Sequence, residues 1–406
     1  MTAVCLVVQS VYDSDPRVRR KAEALADAGY AVDVLALRPA GGVRRYRLNG
    51  VSVETIALGK KRGSLARYLF EYLAFFSWAF VRLPLLMRRR RYAAIDVNTL
   101  PDFLVFSTLV ARWMGAAVIL DMHEITPEFY MSRYGIGPSS PIVRTLTWIE
   151  AASMRFADRV VTINQPIQDL LVARGLRRDR SIVVMNSVDE ARFEAAAVEP
   201  ASGSFVMMYH GTLTRIYGLD LAIEAFALAR DRMPGAQLWI LGSGPEREAL
   251  AALGARHGLG DALRMPGAVP PADIPGWLAR AHVGVLPIRR DVFLDFAFPN
   301  KLPELIVAGK PAIVSRLEAM RRSFSDQALA YFEPNTPADL ARQMVRLSRD
   351  PALRARLAAR ARLEYAPIRW QVMKDRYVSL VGEICGAVSV PDRSPAGAPT
   401  AVAGQG

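Results

Sequence analysis

Short apolar runs alternate with longer stretches of mixed polarity from the start of the chain. Residues 3–9 form an apolar run, a mixed stretch then begins with Asp15 and Pro16 and ends at Gly29, and residues 31–37 form a second apolar run. An acidic residue followed by proline is typical of a helix start, and glycine is typical of a helix end. The pattern therefore predicts a strand, a helix and a second strand.

The same alternation continues through both halves of the chain. Further strands are predicted in the first half at residues 51–58, 94–97, 117–121, 159–163 and 182–185. In the second half they are predicted at residues 205–209, 237–241, 262–265, 283–287, 311–314 and 329–332. Strands that alternate with helices form parallel sheets covered on both faces. The sequence thus predicts an α/β protein with two doubly wound, Rossmann-like domains.

A small, polar segment around residues 198–204 separates the two halves, and 406 residues exceed what one core usually organises. We predict an N-terminal domain at residues 1–198, a C-terminal domain at 204–366 and a helix at 367–387. Residues 391–406 are rich in proline, glycine and alanine and are predicted to be disordered. Two open sheets place a ligand crevice between their carboxyl edges.

The charge balance indicates an anionic partner. The formal net charge is +13, which suits nucleic acid, anionic lipid or a sugar diphosphate. Cys5 and Cys385 are the two cysteines, so a disulfide framework and a zinc site are not expected. The chain starts directly with a strand pattern and lacks a secretory pattern, and we expect a cytoplasmic protein.

The apolar segment at residues 68–87 is followed by four arginines, Arg88–Arg91. Glu71, Arg82 and Pro84 interrupt it and leave about ten uncharged residues in a row, whereas a membrane span needs roughly 20. A transmembrane helix is not expected. Two alternatives are open, a buried helix of the N-terminal domain and a helix on the surface of an anionic membrane.

Two loops of the second half could bind phosphate. Residues 210–218 follow a predicted strand and include Arg215, and residues 299–301 precede a helix that contains Glu304 and ends at Gly309. Free backbone N–H groups at such loops and helix starts favour anions. Each loop alone is typical of an ordinary turn, but the two together favour a phosphate site. Residues 241–245 are interpreted as a strand-to-helix turn, because the third glycine of a dinucleotide fingerprint is missing.

His123 lies in the sequence DMHE at residues 121–124, where a strand ends at the crevice. The alternatives for it are a polar contact to a ligand and a structural histidine. With four histidines in the chain, a metal site is not expected.

Ordered blocks of the sequence resemble the retaining glycosyltransferases of family 4, which have the GT-B fold. The blocks read DPRVRR at residues 15–20, DMHE at 121–124, ADRVVT at 157–162, VMNSVD at 184–189, YHGTL at 209–213, GLD at 218–220, LGSGP at 241–245, FPNKLPEL at 298–305 and AGKP at 308–311. They follow the family order from residue 3 to about residue 380.

This resemblance implies a nucleotide-sugar donor in the C-terminal domain, an acceptor surface in the N-terminal domain and a final helix that crosses back to the first domain. It also implies that no metal or other cofactor is needed, because side chains and helix ends neutralise the leaving diphosphate. By the motif match, Glu304 would hold the ribose hydroxyls, Gly211 would let the backbone approach the phosphates, and His123 would contact the transferred sugar.

The chain departs from the family at two cationic positions and one acidic position. Thr212 and Tyr217 stand where the family has arginine and lysine, and Phe296 stands where it has an acid. We predict that Arg215 and Lys301 replace the cations and that the neighbouring Asp295 replaces the acid. The candidate catalytic residues are therefore His123, Arg215 and Lys301, and the candidate donor-binding residues are Gly211, Thr212, Asp295, Asn300 and Glu304.

The predicted function is metal-independent hexosyl transfer, with retention of configuration, from a nucleoside-diphosphate sugar to a hydroxyl group. The acceptor could be a glycan, a lipid-linked saccharide or a small molecule, as in polysaccharide biosynthesis, and the enzyme could be peripheral at the inner face of the membrane. Two alternatives are open, a nucleotide-sugar epimerase and a non-enzymatic protein that binds anionic surfaces. Nucleic acid is not an expected partner, because the basic residues are scattered over helices.

Overall fold

A computed structural model describes residues 1–58, 65–194 and 204–386. Most of the predicted linker and the predicted disordered tail at residues 391–406 lie outside these described ranges. The exact division of the chain near residue 198 stays a prediction.

The first half forms an eight-stranded sheet in the order β3-β4-β2-β1-β5-β6-β7-β8. The strands are β1 Ala3–Val11, β2 Ala31–Leu37, β3 Arg45–Leu48, β4 Val51–Ile56, β5 Tyr92–Asn98, β6 Ala117–Met122, β7 Arg159–Thr162 and β8 Ser181–Val183. All neighbouring pairs are parallel except β3 and β4. The central strand β1 is buried from Ala3 to Gln9, as expected for a strand covered by helices on both faces.

The edge strand β3 was not predicted from the sequence. Its four residues, Arg-Tyr-Arg-Leu, alternate between exposed and partly buried positions. It pairs antiparallel with β4 and is therefore the outer strand of a hairpin. Two arginines in four residues weaken the apolar pattern on which a strand prediction depends, and charges of this kind are common on edge strands.

Seven helices belong to the first half. They are α1 Pro16–Asp27, α2 Leu65–Met87, α3 Leu109–Trp113, α4 Thr126–Tyr134, α5 Pro141–Phe156, α6 Gln165–Ala173 and α7 Ala191–Glu194. The start of α1 agrees with the sequence, because the Asp15 side chain accepts a hydrogen bond from the Arg17 backbone N–H at 3.3 Å and Pro16 is the first helical residue.

One face of α2 is buried and the opposite face is exposed. Phe75, Ala79 and Leu83 are fully buried, and the Arg82 guanidinium binds the Glu54 carboxylate of β4 at 2.8 and 2.9 Å. The stretch Leu69–Met87 is long and apolar enough to cross a membrane when judged by length and composition alone. In this fold its buried face belongs to the core of the first half. The prediction of a membrane-surface helix concerns the exposed face, which presents Leu69, Phe70, Leu73, Val81 and Leu85.

The second half forms a six-stranded parallel sheet in the order β11-β10-β9-β12-β13-β14. The strands are β9 Val206–His210, β10 Gln237–Leu241, β11 Leu263–Gly267, β12 Val283–Leu286, β13 Ala312–Ser315 and β14 Ala330–Phe332. The helices are α8 Leu219–Ala229, α9 Arg247–Arg256, α10 Ile274–Arg280, α11 Lys301–Val307, α12 Glu318–Ser323, α13 Pro337–Arg349, α14 Pro351–Tyr365 and α15 Trp370–Cys385. The predicted architecture of two doubly wound sheets is confirmed.

The last helix, α15, packs against the first half of the chain. The Tyr377 hydroxyl donates a hydrogen bond to Asp96, a fully buried residue of β5. On the surface, the Lys374 ammonium lies 3.3 Å from the Asp27 carboxylate at the end of α1. The chain therefore returns to the first sheet after completing the second, which couples the two halves.

The two halves also touch through the loop that leads into α11. The Ser132 hydroxyl on α4 donates to the Asp291 carboxylate at 2.6 Å, and the Asn164 amide donates to the Phe296 carbonyl at 2.9 Å. This loop is thus fixed by α4 and by the residue that caps α6 of the first half before it enters the helix that carries Lys301.

Candidate active site

A cavity of about 320 Å³ opens at the carboxyl edge of the second sheet. Its polar side consists of residues that follow β9 and β10 together with Glu304 of α11, and its other side is largely apolar. The lining residues are Arg192, Phe193, His210, Gly211, Thr212, Leu241, Gly242, Ser243, Ala268, Val269, Pro271, Ile274 and Glu304. A pocket with an apolar wall and few polar groups at one edge of a doubly wound sheet suits a nucleotide.

Gly211 brings the β9 loop against the side chain of Lys301. Its φ is +133°, and an added Cβ would lie 2.1 Å from Lys301 Cε and 2.8 Å from Lys301 Nζ. Such distances are far inside van der Waals contact, so a side chain at this position would displace the lysine. Glycine therefore allows the Lys301 side chain to pack directly against the backbone of the loop.

The Lys301 ammonium lies against two tyrosine rings. Its Nζ lies 4.3 Å from the ring centroid of Tyr217 and 5.5 Å from that of Tyr209. It has no ion pair or hydrogen bond with the described residues. Burial lowers the pKa of the Lys301 ammonium, and the Glu304 carboxylate acts in the opposite direction. The ammonium therefore lies over the ring of Tyr217, the residue for whose missing charge Lys301 was predicted to substitute.

Glu304 is held by His210. The Glu304 Oε2 lies 2.5 Å from His210 Nε2, and the Glu304 side chain is 22% exposed at the pocket wall. The partner of Glu304 is thus the last residue of β9 rather than Lys301, which lies three positions earlier on α11. The second carboxylate oxygen, Oε1, takes no hydrogen bond from the described residues, and it can accept from a ligand.

Gly242 locks the β10 loop against the β9 loop. An added Cβ at Gly242 would lie 1.7 Å from the Gly211 carbonyl oxygen, and its φ is +144°. Backbone hydrogen bonds join Gly211 N to Leu241 O at 2.8 Å and Leu213 N to Ser243 O at 2.9 Å. The predicted strand-to-helix turn at residues 241–245 is confirmed, since it joins β10 to α9, and residues 241–243 also line the cavity. A glycine directly after a central strand was the available indication.

His123 lies at the carboxyl end of β6 and is 3% exposed. Its Nε2 is 2.9 Å from Asn98 Oδ1 and 3.5 Å from the carboxylate of Asp121, which in turn binds Lys21. Burial lowers the pKa of the His123 imidazole to about 4. The ring is therefore neutral at physiological pH, and it can take part in hydrogen bonds but does not supply a positive charge. It does not line the nucleotide cavity.

Arg20 of α1 was missed by sequence reasoning. Its guanidinium donates to the Ser187 carbonyl and lies 5.6 Å from the Trp370 ring centroid, but it forms no ion pair with a carboxylate in the part of the chain that is described. Burial lowers the pKa of Arg20, and the nearby carboxylates of Asp189 and, more weakly, Glu304 raise it. Arg20 is thus a half-buried cation of the first half whose charge is felt by Glu304 of the second half. The three arginines within residues 17–20 were the available indication.

Five of the eight predicted site residues do not line the cavity: His123, Arg215, Asp295, Asn300 and Lys301, of which Lys301 lies against the lining residue Gly211. Arg215 and Asn300 are exposed and are not among its lining residues. Asp295 lies in a 3₁₀ turn, where Oδ1 accepts from the Glu318 backbone N–H at 3.0 Å and pairs with Arg290 at 3.3 Å. The expected replacement of the family acid by Asp295 is therefore not seen, because that carboxylate caps the start of α12. Gly211, Thr212 and Glu304 do line the cavity.

Comparison with protein families agrees with this geometry. Residues 14–187 match the family described as glycosyl transferase 4-like domain. Residues 204–350 match glycosyl transferases group 1. Together the two matches account for most of the chain, and each corresponds to one of the two sheets.

Two relatives of similar sequence are also glycosyltransferases. The chain is 25% identical over 358 residues to a glycogen synthase of Mycobacterium tuberculosis, with 85% of this chain and 84% of the relative covered. It is 25% identical over 284 residues to a 2-deoxystreptamine glucosyltransferase of Streptomyces kanamyceticus, with 65% of this chain and 70% of the relative covered.

Among solved structures, sucrose-phosphate synthase from Thermosynechococcus elongatus has a TM-score of 0.76 at 19% identity and covers 96% of this chain and 100% of its own. The HepE protein of Anabaena in complex with UDP-glucose has a TM-score of 0.66 at 15% identity, with 94% and 100% covered. At these identities the two structures establish the fold, which is GT-B.

Two facing doubly wound sheets, a nucleotide-sized cavity on the second sheet and family matches along both halves thus agree with one another. They support the use of a nucleotide-sugar donor, and the chain belongs to the family 4 glycosyltransferases of the GT-B fold.

Proposed function

We propose that this glycosyltransferase moves a hexosyl group from a nucleoside-diphosphate sugar to an acceptor hydroxyl with retention of configuration and without a metal ion. The observation that carries the proposal is the Lys301 ammonium, which forms no ion pair within the described residues and lies against Gly211, a residue that lines the same cavity as Glu304. A cation and a glycine-containing loop suit the diphosphate, and a carboxylate suits the ribose of a nucleoside diphosphate.

The donor would lie with its base against the apolar wall and its ribose at Glu304. One carboxylate can accept from both hydroxyls of a ribose, and Oε1 is available for this while His210 holds Oε2. The diphosphate would then lie at Gly211, within reach of the Lys301 ammonium. Thr212, exposed on the same loop, lines the cavity and would lie beside the phosphates.

The leaving diphosphate gains negative charge as the glycosidic bond breaks, and positioned cations stabilise that charge. Lys301 supplies one cation from the second half, and Arg20 supplies another from the first half. Within the described ranges, no group of three or more histidine, cysteine, aspartate or glutamate side chains could hold a metal ion. These features support neutralisation by side chains and therefore turnover without a divalent ion or another cofactor.

The acceptor would bind to the first half, with the neutral His123 as a hydrogen-bonding contact to the transferred sugar. We further propose a cytoplasmic enzyme that works at the surface of an anionic membrane on a lipid-linked saccharide, as in polysaccharide biosynthesis. The exposed apolar face of α2 and the exposed run Arg88–Arg91 support this location. Nucleic acid is not a proposed partner.

A ligand screen followed by a transfer assay tests the proposal. Thermal shifts with nucleoside diphosphates and nucleotide sugars identify the donor, since a ligand at 100 times its dissociation constant stabilises by about 2.7 kcal/mol. The identified donor is then incubated with the protein and membrane extract, and the anomeric configuration of the product is measured by NMR. We expect retention. An epimerised free donor in the absence of acceptor would instead identify an epimerase, and an inverted product would refute the retaining mechanism.

A further inference from the structure

A second cavity, of about 440 Å³, lies in the first half of the chain. We call it the apolar groove. It lies between α2, α4, α5 and the 3₁₀ segment Asp102–Thr108, and it is separate from the nucleotide cavity. Its walls are formed mainly by Leu69, Tyr72, Phe103, Ile142, Leu146 and Ile149. A groove with such walls takes a hydrocarbon ligand more readily than a free sugar.

One end of the groove is polar. Thr126, the first residue of α4, donates to Asp102 Oδ1 at 2.9 Å. Asp102 is 2% exposed, and its other oxygen, Oδ2, has no hydrogen-bond partner in the described structure. Burial raises the pKa of Asp102 to about 7. Thr126 follows His123 by three residues, so the polar end of the groove lies close to the end of β6 where the sugar contact is proposed.

The mouth of the groove has the composition of a membrane interface. Leu69 is 51% exposed and Ile142 is 49% exposed, and both line the groove. On the same two helices, Phe70 of α2 is 64% exposed and Trp148 of α5 is 68% exposed. Arg144, between Ile142 and Trp148 in sequence, is also exposed. Exposed aromatic and aliphatic side chains with nearby arginine are typical of surfaces that enter the headgroup region of a bilayer.

We propose that the apolar groove binds the hydrocarbon chain of a lipid-linked acceptor and directs its hydroxyl-bearing head toward His123. This rests on the proposed function and names its acceptor class. The groove connects the exposed apolar rim, which would contact the bilayer, with the polar end at Asp102 and Thr126. A chain that leaves the bilayer at the rim would thus enter the protein without crossing water.

A protein partner fits the same observations less well. The helix α5, which lines the groove, also exposes Trp148 and Arg144, and the exposed face of α2 ends at the exposed arginines Arg88–Arg91. Positive charge along an apolar surface complements anionic lipid headgroups. The polar end of the groove also lies near the proposed reaction site. The polar head of an amphipathic acceptor bound in the groove would therefore lie at that site.

The chain offers a matched pair of variants for the test. Leu69 and Leu73 lie one turn apart on α2 and are 51% and 49% exposed, but only Leu69 lines the groove. The probe is n-dodecyl β-D-glucoside below its micelle concentration, with binding to the full chain measured by calorimetry. We expect saturable binding that is about 3- to 10-fold weaker in Leu69→Gln and unchanged in Leu73→Gln, because only the first substitution removes buried apolar contact with the chain.

Binding of the nucleoside diphosphate and binding to anionic vesicles are measured on the same variants. Both substitutions should weaken vesicle binding to a similar extent, since both lie on the exposed face, and neither should change nucleotide binding. Absence of saturable glucoside binding, or equally weakened glucoside binding in the two variants, would overturn the groove as an acceptor site. The exposed face of α2 would then be only a membrane-binding surface. Absence of nucleotide binding by the unmodified chain would count against the proposed function, whatever the groove does. A self-associated state that buries Leu69 and excludes the probe would also overturn the proposal.

Discussion

His210 Nε2 lies 2.5 Å from Glu304 Oε2, and this contact joins the last residue of β9 to the first turn of α11. It fixes one oxygen of the carboxylate and leaves the other facing the cavity. A ribose would therefore meet a carboxylate that is already oriented. Because His210 precedes Gly211 directly, the same strand end positions both the ribose contact and the phosphate loop.

Replacing Glu304 by glutamine should weaken nucleoside diphosphate binding about 10- to 150-fold, as expected for the loss of a charge-assisted contact worth roughly 1.5–3 kcal/mol. The measurement is calorimetry with the free diphosphate. Glu248, an exposed acid on α9 outside the cavity, provides the control Glu248→Gln, which should bind normally. If Glu304→Gln binds the nucleotide as well as the unmodified protein does, Glu304 does not contact the ribose.

Lys301→Met should slow single-turnover transfer more than it weakens nucleotide affinity, because the charge on the diphosphate grows as the bond breaks. Lys374→Met, at an ion pair on α15 outside the cavity, is the control and should leave the rate unchanged. A loss of nucleotide affinity equal to the loss of rate would show that Lys301 stabilises the bound ground state as much as the transition state.

The same substitution should stabilise the unliganded protein at pH 7. Burial lowers the pKa of Lys301 in the folded state, so the folded protein binds the proton less tightly than the unfolded chain does. The resulting penalty is fully present below the lowered pKa of the folded state and absent above the ordinary lysine pKa of about 10.4. At neutral pH the lysine is charged in both states, and the desolvation of the buried charge destabilises the folded protein. This penalty shrinks as the pH rises from the lowered pKa toward about 10.4, where the unfolded chain also loses its proton. The gain in melting temperature of Lys301→Met should therefore shrink as the pH rises toward about 10.4 and be absent above that pH. A lower melting temperature at pH 7 would contradict this.

Gly211→Ala should lower nucleotide affinity about tenfold and also destabilise the fold. The new Cβ would meet Lys301 Cε at 2.1 Å at a φ of +133°, and a left-handed backbone costs a residue with a side chain roughly 1–2 kcal/mol. Gly276 lies in α10 with no atom within 4 Å of an added Cβ, so Gly276→Ala should be neutral or stabilising by about 0.5–1 kcal/mol. Similar effects of both substitutions would show that the contact with Lys301 is unimportant.

Chelation by EDTA should leave turnover within about twofold of its starting value, because charge neutralisation is assigned to Lys301 and Arg20 rather than to a metal ion. The rate is measured before and after chelation, and again after addition of Mg²⁺ or Mn²⁺. Loss of activity that a divalent ion restores would refute metal independence.

The protein should bind vesicles that contain anionic lipid and should leave them as salt is raised toward about 0.5 M, where charges are strongly screened. The double variant Arg88→Gln/Arg89→Gln should bind more weakly. Arg356→Gln/Arg362→Gln, on the exposed face of α14, removes the same charge elsewhere and should have little effect. Equally weakened vesicle binding in both double variants would indicate an effect of net charge rather than binding through α2 and the arginines that follow it.

Much of the fold could be predicted from the sequence because parallel sheets covered on both faces leave continuous apolar runs. The run at residues 3–9 became the buried centre of β1, and Asp15 and Pro16 started α1 where their chemistry predicts. The edge strand β3 escaped prediction because an edge needs little apolar surface. Local sequence motifs likewise indicated four of the candidate donor-site residues, Gly211, Thr212, Lys301 and Glu304.

The tertiary structure decided which side chains meet. Asp295 is adjacent to the position of the missing acid, but its carboxylate accepts a hydrogen bond from the backbone N–H of Glu318, which starts α12 23 residues later. Arg20 and Glu304 are far apart in the chain and near in space, and His210 is the partner of Glu304 across 94 residues. Sequence patterns report burial and local backbone preference, which depend on near neighbours. Pairing between distant charges depends on how loops and helices of two sheets are arranged, and that arrangement is set by packing of the whole chain.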